Sequence, residues 1–234
     1  MHAHFTNATA SPRPPTPRQQ QLSDFLSDAA FPCVGAKSAL NKDRIVFADY
    51  PSLGDPSIVV DLCARLGAFS MAHPAPGDVP VSFIAMFDGP LQNELAFEQA
   101  LWTLLQALHE HDRAHFGWDP TVASDPMQSN FSLSIAGRAF FVVGLHAGAS
   151  RLARRAPFPC LVFNFHNQFE HLKASGKYQS LQDAIRSREL QLQGSINPVL
   201  ARFGKASEAR QYAGRAVENG WRCPFHAKEG KQYA

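Results

Sequence analysis

The chain has 234 residues, of which 45% are hydrophobic, and a formal net charge of +2 at pH 7. This length and composition are enough for one sizeable hydrophobic core, so they exclude a wholly disordered chain. A charge so close to neutral disfavours nucleic acid as a partner. No apolar run approaches the roughly 18 residues that a membrane-spanning helix needs, so we expect no membrane partner either.

The N-terminus and the cysteines predict a soluble, cytoplasmic protein. The N-terminal stretch lacks the apolar segment of a secretory signal peptide. The cysteines lie far apart and form no CxxC pair, which is typical of reduced thiols rather than of a disulfide framework. They are Cys33, Cys63, Cys160 and Cys223.

The first predicted element follows a polar tail. Residues 1–18 are rich in Pro, Ser and Thr and offer almost nothing to bury, so we expect them to be disordered. Order should begin near Gln19, because Leu22, Phe25 and Leu26 then recur at helical spacing.

Two further helices and a strand are predicted before residue 120. Asp55 and Pro56 supply an N-cap and a first-turn proline for a helix that ends near Gly67. Residues 81–87 form a β-branched and aromatic run, which predicts a buried strand. The apolar spacing over residues 93–115 predicts the longest helix of the chain.

Three strands are predicted in the second half. Residues 131–135 alternate apolar and polar side chains, as a half-buried strand does. After a turn at Gly137, residues 139–143 form a fully apolar strand, and residues 160–165 form another.

Two helices complete the prediction. Ser180 and Asp183 match a capping box at the start of one helix, and residues 207–217 form the last. The strands cluster in pairs and the helices flank them, which favours the α+β class over a regular βαβ chain. We therefore predict a single domain over residues 19–226, with a mixed or antiparallel sheet flanked by helices, and a flexible C-terminal tail over residues 227–234.

The segment most suited to chemistry is residues 144–155, where an apolar strand delivers His146 into a loop of small residues. A second strand delivers His166 in the same way, so neighbouring strands could place both imidazoles at one end of a sheet. Imidazole ligates iron and guanidinium pairs with carboxylates, a combination that suits a heme and its propionates. The alternative is that both histidines are hydrogen-bonded strand ends and that the arginines form a solvated face. These arginines are Arg151, Arg154 and Arg155.

A second metal hypothesis rests on residues 111–115, HDRAH, which match the H-E-x-x-H zinc helix except that Asp112 replaces glutamate. His111 and His115 would share a helix face, so a zinc-dependent hydrolase is an alternative function. The other interpretation is a histidine-rich helix end, where the helix dipole favours cations.

Two cysteines adjacent to proline, Cys33 and Cys223, are secondary candidates for a thiolate ligand of heme iron. Burial as small apolar residues explains them equally well.

Several strings together resemble the YqcI/YcgG family, from about Leu22 to Phe225. They are FPCVGAK (31–37), WDP (118–120), FSLSIAGRAFFVVGLHAGASRLARR (131–155), LVFNFHNQFEHL (161–172), LQGSINPVL (192–200), SEARQYAGR (207–215) and WRCPF (221–225).

Members of that family with assigned roles resemble heme-dependent N-hydroxylases that oxygenate guanidine nitrogens. The resemblance implies an enzyme that carries heme b (iron protoporphyrin IX). It would hydroxylate a nitrogen of a small, arginine-like guanidine substrate with O₂ and an electron donor that the sequence does not name. A non-catalytic heme carrier or sensor is the alternative hypothesis. A homodimer that shares the heme is a further alternative.

The resemblance also assigns residues. The family's strand-end histidine, usually followed by proline, falls on His146, which here precedes Ala147. His146 is the first choice for the axial ligand of the iron and His166 the second. The family's N-x-H-x-Q-F-E string is present at residues 164–170, so Glu170 is a candidate catalytic residue.

Further site residues follow from the same hypothesis. Arg151, Arg155 and Lys37 are expected to pair with the propionates, and Cys33 is a further cofactor-binding candidate. A cationic substrate needs a carboxylate, for which the candidates are Glu170, Asp119 and Asp125. The aromatic residues proposed to wall the pocket are Trp118, Phe131, Phe140 and Phe163.

Overall fold

A five-stranded sheet organises the described part of the chain. The computed structural model describes residues 14–77, 79–89, 93–198 and 207–228. The strands are β1 (Ile45–Tyr50), β2 (Ser82–Phe87), β3 (Leu133–Ile135), β4 (Arg138–Leu145) and β5 (Cys160–Phe165). Their order is β1-β2-β5-β4-β3, with β1 parallel to β2 and every other pair antiparallel. The predicted α+β class with a mixed sheet is confirmed.

Helices cover both faces of this sheet. They are α1 (Pro17–Ser27), α2 (Val34–Asn41), α3 (Val59–Ala72), α4 (Glu94–Asp112), α5 (His166–Ala174), α6 (Lys177–Gln193) and α7 (Ala209–Tyr212). Helices α3 and α4 enclose the larger apolar core on one face. Helices α1 and α2 enclose a smaller one on the other, and α6 packs against α2 and α5.

Strand alternation separates the two cores. Along β4, Phe140 and Val142 belong to the larger core, whereas Val143 packs against the smaller one. Successive side chains of a strand point to opposite faces, so each central strand is apolar on both sides. This explains why β2 and β5 read as nearly continuous apolar runs in the sequence.

Helix α1 begins earlier than the sequence predicted. The side chain of Thr16 caps it by accepting a hydrogen bond from the backbone N–H of Gln19. The side chain of Gln19 in turn accepts one from the backbone N–H of Thr16, which completes a capping box. Pro17 occupies the first turn, where its missing N–H costs nothing. Arg18, in the same turn, donates to the carbonyl of Phe87 at 2.8 Å, which ties the helix to the end of β2. Residues 1–13 of the predicted tail lie outside the described residues.

Three other helix boundaries differ from the prediction. The predicted capping box at Ser180 is wrong, because α6 begins at Lys177 after Gly176, whose φ is +71°. Helix α3 continues past Gly67 to Ala72. The last helix occupies only Ala209–Tyr212 instead of residues 207–217. Strand β1 and helices α2 and α5 were not predicted at all.

No helix of the described residues has both the length and the apolar character needed to cross a lipid bilayer.

Gly144 is required by a close approach between β4 and α4. A Cβ atom at this position would lie 2.5 Å from Cε1 of Phe97 and 2.9 Å from the carbonyl oxygen of Tyr212. Both distances are shorter than a normal non-bonded contact, and both neighbours are buried. Residue 144 therefore has to be glycine because β4 leaves no space for a Cβ atom between α4 and α7.

We expect Gly144→Ala to lower the free energy of unfolding by about 1–3 kcal/mol, because the added methyl group overpacks a rigid core. Urea denaturation followed by circular dichroism measures this change. The matched control is Gly117→Ala, since nothing lies within 4 Å of that Cβ position. Equal stability of the two variants would contradict the packing argument.

Candidate functional site

A cavity of about 280 Å³ lies on the face of the sheet opposite the larger core. Its floor is formed by β2, β4 and β5 through Ile84, Val143 and Val162, and its walls include α2, α5 and α6. Small-molecule sites are typically apolar cavities with a few polar groups. The charged side chains that line this one are Arg154, Arg186, Glu189 and Glu208.

Cys33 lies in the wall of this cavity, at the N-cap of α2. Its Sγ accepts a hydrogen bond from the backbone N–H of Ala36 at 3.5 Å. Burial raises the pKa of the thiol, whereas the backbone donors of Ala36 and Gly35 and the charge of Arg154 act to lower it. Burial outweighs these three groups, so the sulfur is a neutral thiol here. It would become a thiolate only if a cation bound to it, and the three groups would then offset part of the cost of its burial.

Arg154 lines the same cavity as Cys33 and Glu189. Its Nη1 donates to the carbonyl of Gly144 at 3.0 Å, and its Nη2 donates to that of Gln211 at 3.2 Å. Burial lowers the pKa of Arg154 to about 10, and the charges of Glu189 and Cys33 oppose that change. The side chain stays charged at neutral pH and gives the cavity a fixed cation.

The other two arginines of the predicted cluster have structural roles. Arg151 is buried and forms an ion pair with Glu189, with 2.7 Å between Nη2 and Oε1. It also donates to Oγ of Ser195 at 2.9 Å. Arg155 is exposed and donates to the carbonyl of Ala149 at 2.9 Å. Neither lines the cavity, so among the three arginines only Arg154 reaches it.

The two histidines lie at opposite ends of the sheet, so the expectation that they meet at one end is wrong. Strands β4 and β5 are antiparallel, and the register places Leu145 opposite Cys160 and Phe140 opposite Phe165. His146 follows the end of β4, and His166 follows the end of β5. The paired segment alone separates those ends by roughly 17 Å.

His146 is buried on the face opposite the cavity. Its ring stacks on Phe97 with 4.3 Å between centroids and an angle of 19°. Only 1% of the residue is exposed, and neither ring nitrogen has a hydrogen-bond partner among the described residues. Burial lowers the pKa of His146, so the ring is neutral at pH 7. The imidazole is chemically suited to bind a metal, but both nitrogens are closed off by the surrounding chain.

His166 is the first residue of α5 and is buried. Its Nδ1 hydrogen-bonds Oγ of Ser132 at 2.7 Å, and its Nε2 lies 3.8 Å from Oε1 of Glu170. Burial lowers its pKa, while the charge of Glu170 raises it. Glu170 also pairs with Lys173 at 3.1 Å and is half exposed. This histidine and this glutamate are therefore neighbours, as the sequence string implies, but they lie outside the cavity lining.

The remaining predicted carboxylates accept hydrogen bonds from backbone N–H groups. Asp119 accepts from the backbone N–H groups of Thr121 and Ala139, each at 2.9 Å. Asp125 accepts from the N–H of Met127 at 2.9 Å. Neither residue lines the cavity. The carboxylates that do line it, Glu189 and Glu208, were missed by the sequence analysis.

The remaining cofactor candidates also lie elsewhere. Lys37 donates to the carbonyl oxygens of Asp28 and Ala29, close to the start of α2. Cys223 is buried in the larger core, and burial raises its pKa to about 12. The aromatic residues predicted to wall the pocket belong to or pack against that same core, and the cavity is instead lined by Phe31, Phe141 and Phe169.

The HDRAH segment does not form the predicted zinc helix. Helix α4 ends at Asp112, so His115 lies in the following turn. Asp112 is buried and accepts from the N–H of Ala136 at 2.8 Å. Burial raises its pKa to about 6. In the parts of the chain that the structure describes, no group of three or more His, Cys, Asp or Glu side chains is arranged to hold a metal ion.

These features together describe an α+β domain with an apolar cavity that is lined by a thiol and by charged groups of both signs. The chain belongs to the YqcI/YcgG family, whose profile matches residues 22–226. The comparisons with curated proteins and with solved structures returned no match.

We expect His146→Leu to raise the free energy of unfolding by about 1 kcal/mol at pH 7.5. The substitution removes two buried nitrogens without partners, whose burial costs roughly 1–3 kcal/mol, and keeps an apolar side chain against Phe97. Urea denaturation tests this. His166→Leu is the control and should be destabilising, because it deprives Ser132 of its partner. A loss of stability in His146→Leu would contradict the assignment.

The stability of the wild-type protein should fall as the pH drops below about 6.5. His109, His146 and His166 all have pKa values lowered by burial, so the unfolded chain binds more protons than the native one in this range. Asp112, whose pKa is raised, opposes this trend below about pH 6. Urea midpoints between pH 5.5 and 7.5 measure the slope, which His146→Leu should make shallower. An unchanged slope in that variant would show that His146 is not held neutral.

Proposed function

We propose that the protein is a heme-dependent oxygenase that hydroxylates a nitrogen of a small, arginine-like guanidine substrate. The observation that carries the proposal is the cavity itself, which combines an apolar lining, the Cys33 thiol and buried charges of both signs. Membership of the YqcI/YcgG family supports it through the resemblance to guanidine N-hydroxylases. The four free thiols are consistent with action in the reducing cytoplasm.

The kinds of residue that line the cavity suit a heme. Cys33 would supply a thiolate to the iron, and the Ala36 N–H that already contacts its sulfur would stabilise the negative charge. Apolar side chains from β2, β4 and β5 suit the porphyrin, and Arg154 and Arg186 suit its propionates. A bound heme supplies the activation of O₂, and a thiolate ligand favours cleavage of the O–O bond.

Cys33 replaces His146 as the first candidate for the axial ligand. His146 does not line the cavity, and both its nitrogens are enclosed by protein atoms, so a porphyrin could reach it only if β4 and α4 moved apart. A cysteine in the wall of an existing cavity needs no such change. His166 is also disfavoured, because it does not line the cavity and its Nε2 lies 3.8 Å from the carboxylate of Glu170.

The chain's own groups would orient the substrate and exclude water. The sheet floor and Phe141 and Phe169 provide a dry surface, in which charge interactions are stronger than in solvent. The substrate N–H is replaced by N–OH, and the second oxygen atom of O₂ leaves as water. Two electrons from an external donor and two protons complete that balance. The donor is an external partner of the enzyme.

The decisive experiment is the absorption spectrum of protein expressed with a heme precursor, for wild type, Cys33→Ala, His146→Ala and His166→Ala. We expect a Soret band in the wild type and in both histidine variants, and its loss or shift in Cys33→Ala. The ferrous carbonyl complex should show the red-shifted Soret band of thiolate ligation. Loss of the band only in His146→Ala would place the heme on the other face of the sheet.

Turnover separates the enzyme from a heme carrier or sensor. Reconstituted protein with L-arginine, O₂ and a chemical reductant should yield an N-hydroxylated product that mass spectrometry detects as a gain of one oxygen atom. A wild type that takes up heme but oxidises no guanidine would support the carrier. A wild type that takes up no heme would overturn the proposal, and metal analysis of His111→Ala/His115→Ala would then test the zinc alternative.

A further inference from the structure

One face of helix α6 forms a wall of the cavity. Gln182, Ile185, Arg186 and Glu189 all line it, and their spacing of three and four residues places them on the same side of the helix. Two acceptor atoms on this face, Oε1 of Gln182 and Oε2 of Glu189, are buried and have no hydrogen-bond partner among the described residues. Buried acceptors without donors are costly and rare in native structures, so a ligand that donates hydrogen bonds to this face would be stabilised there.

Glu189 is the stronger of the two acceptors. The residue is only 3% exposed, and its Oε1 accepts from Nη2 and Nε of Arg151 at 2.7 and 3.2 Å. That pair fixes the carboxylate, since Arg151 is itself held by Ser195. An ionised carboxylate can accept about four hydrogen bonds, and no described residue donates one to Oε2 of Glu189. The ion pair therefore positions Oε2 without satisfying it.

The neighbouring charges limit what can bind there. Arg154 lies close enough for the charge of Glu189 to raise its pKa, and two of its five N–H donors are already used by the carbonyl groups of Gly144 and Gln211. Arg186 lines the same wall, and Glu208 is a second buried carboxylate of the cavity. A lining with both signs of charge is complementary to a zwitterion, with its cation at a carboxylate and its own carboxylate at the arginines.

We propose that Oε2 of Glu189 binds the guanidinium group of the substrate, and that Gln182 accepts a second N–H from the same ligand. The assignment rests on the proposed function for the identity of the ligand, and it replaces Glu170, Asp119 and Asp125 as the residue that recognises the cation. Arg151 acts as a positioning residue, because it holds Glu189 without lining the cavity.

Ligand binding to the full-length protein tests this separately from heme chemistry. Isothermal titration calorimetry is carried out with L-arginine, with agmatine, which lacks the carboxylate, and with L-citrulline, which is a neutral analogue. We expect Glu189→Gln to weaken binding of arginine and agmatine at least about tenfold and binding of citrulline much less, since one charge-assisted contact is lost. Glu170→Gln is the matched control and should leave all three affinities unchanged.

A second variant protects the test against misfolding. Ile185→Trp fills the cavity from the same helix face and keeps both Arg151 and Glu189, and it should abolish binding of all three ligands. Circular dichroism confirms that each variant is folded. Wild-type affinity for arginine in folded Glu189→Gln, or in folded Ile185→Trp if Glu189→Gln does not fold, overturns the proposal. A wild type that binds neither arginine nor agmatine overturns it as well.

The outcome is distinguishable from failure of the proposed function. Binding of arginine that depends on Glu189, in a protein that takes up no heme, would support this inference and contradict the oxygenase. Heme uptake and guanidine turnover that persist in Glu189→Gln with an unchanged KM would support the oxygenase and overturn the role of Glu189.

Discussion

Strands β4 and β5 pair antiparallel at the centre of the sheet, with Phe140 opposite Phe165 and Leu145 opposite Cys160. This register assigns each side chain of the central strands to the larger core or to the cavity floor, because successive side chains of a strand alternate between faces. The antiparallel register also places His146 and His166 at opposite ends of the sheet. It also leaves the carbonyl of Gly144 available to Arg154, which carries a positive charge to the cavity. The location of the candidate site is a consequence of this single pairing.

The buried ion pair between Arg151 and Glu189 links the loop after β4 to α6 across the edge of the cavity. Buried ion pairs often add little net stability, because both charges lose their hydration. Here all three side-chain nitrogens of Arg151 donate hydrogen bonds, whereas Oε2 of Glu189 has no partner among the described residues. The pair is better understood as a device that orients a carboxylate than as a source of stability. Such incomplete satisfaction is typical of binding sites, where the ligand supplies the missing partner.

His146 has the same property on the other face of the sheet, with two buried nitrogens and no partner among the described residues. It differs from Glu189 in that it does not line the cavity described above. This contrast is the reason that we propose the cavity side as the site, since a ligand there has both a polar partner and space. A resemblance identifies a histidine as important, but it carries no information about which face of the sheet the ring occupies.

By itself, the sequence determined the fold class, the family, and the long elements with strong apolar patterns, such as α4 and β5. These features depend on the periodic spacing of apolar residues, which can be identified from the sequence alone. It failed at β1, whose half-buried residues do not alternate cleanly, and at the start of α6, where Gly176 rather than Ser180 precedes the first turn. Only the tertiary structure decided the direction of strand pairing, the separation of His146 from His166, and the convergence of Cys33, Arg154 and Glu189 on one cavity. Those residues are far apart in the chain, and their contact depends on packing between helices and sheet that no local pattern encodes.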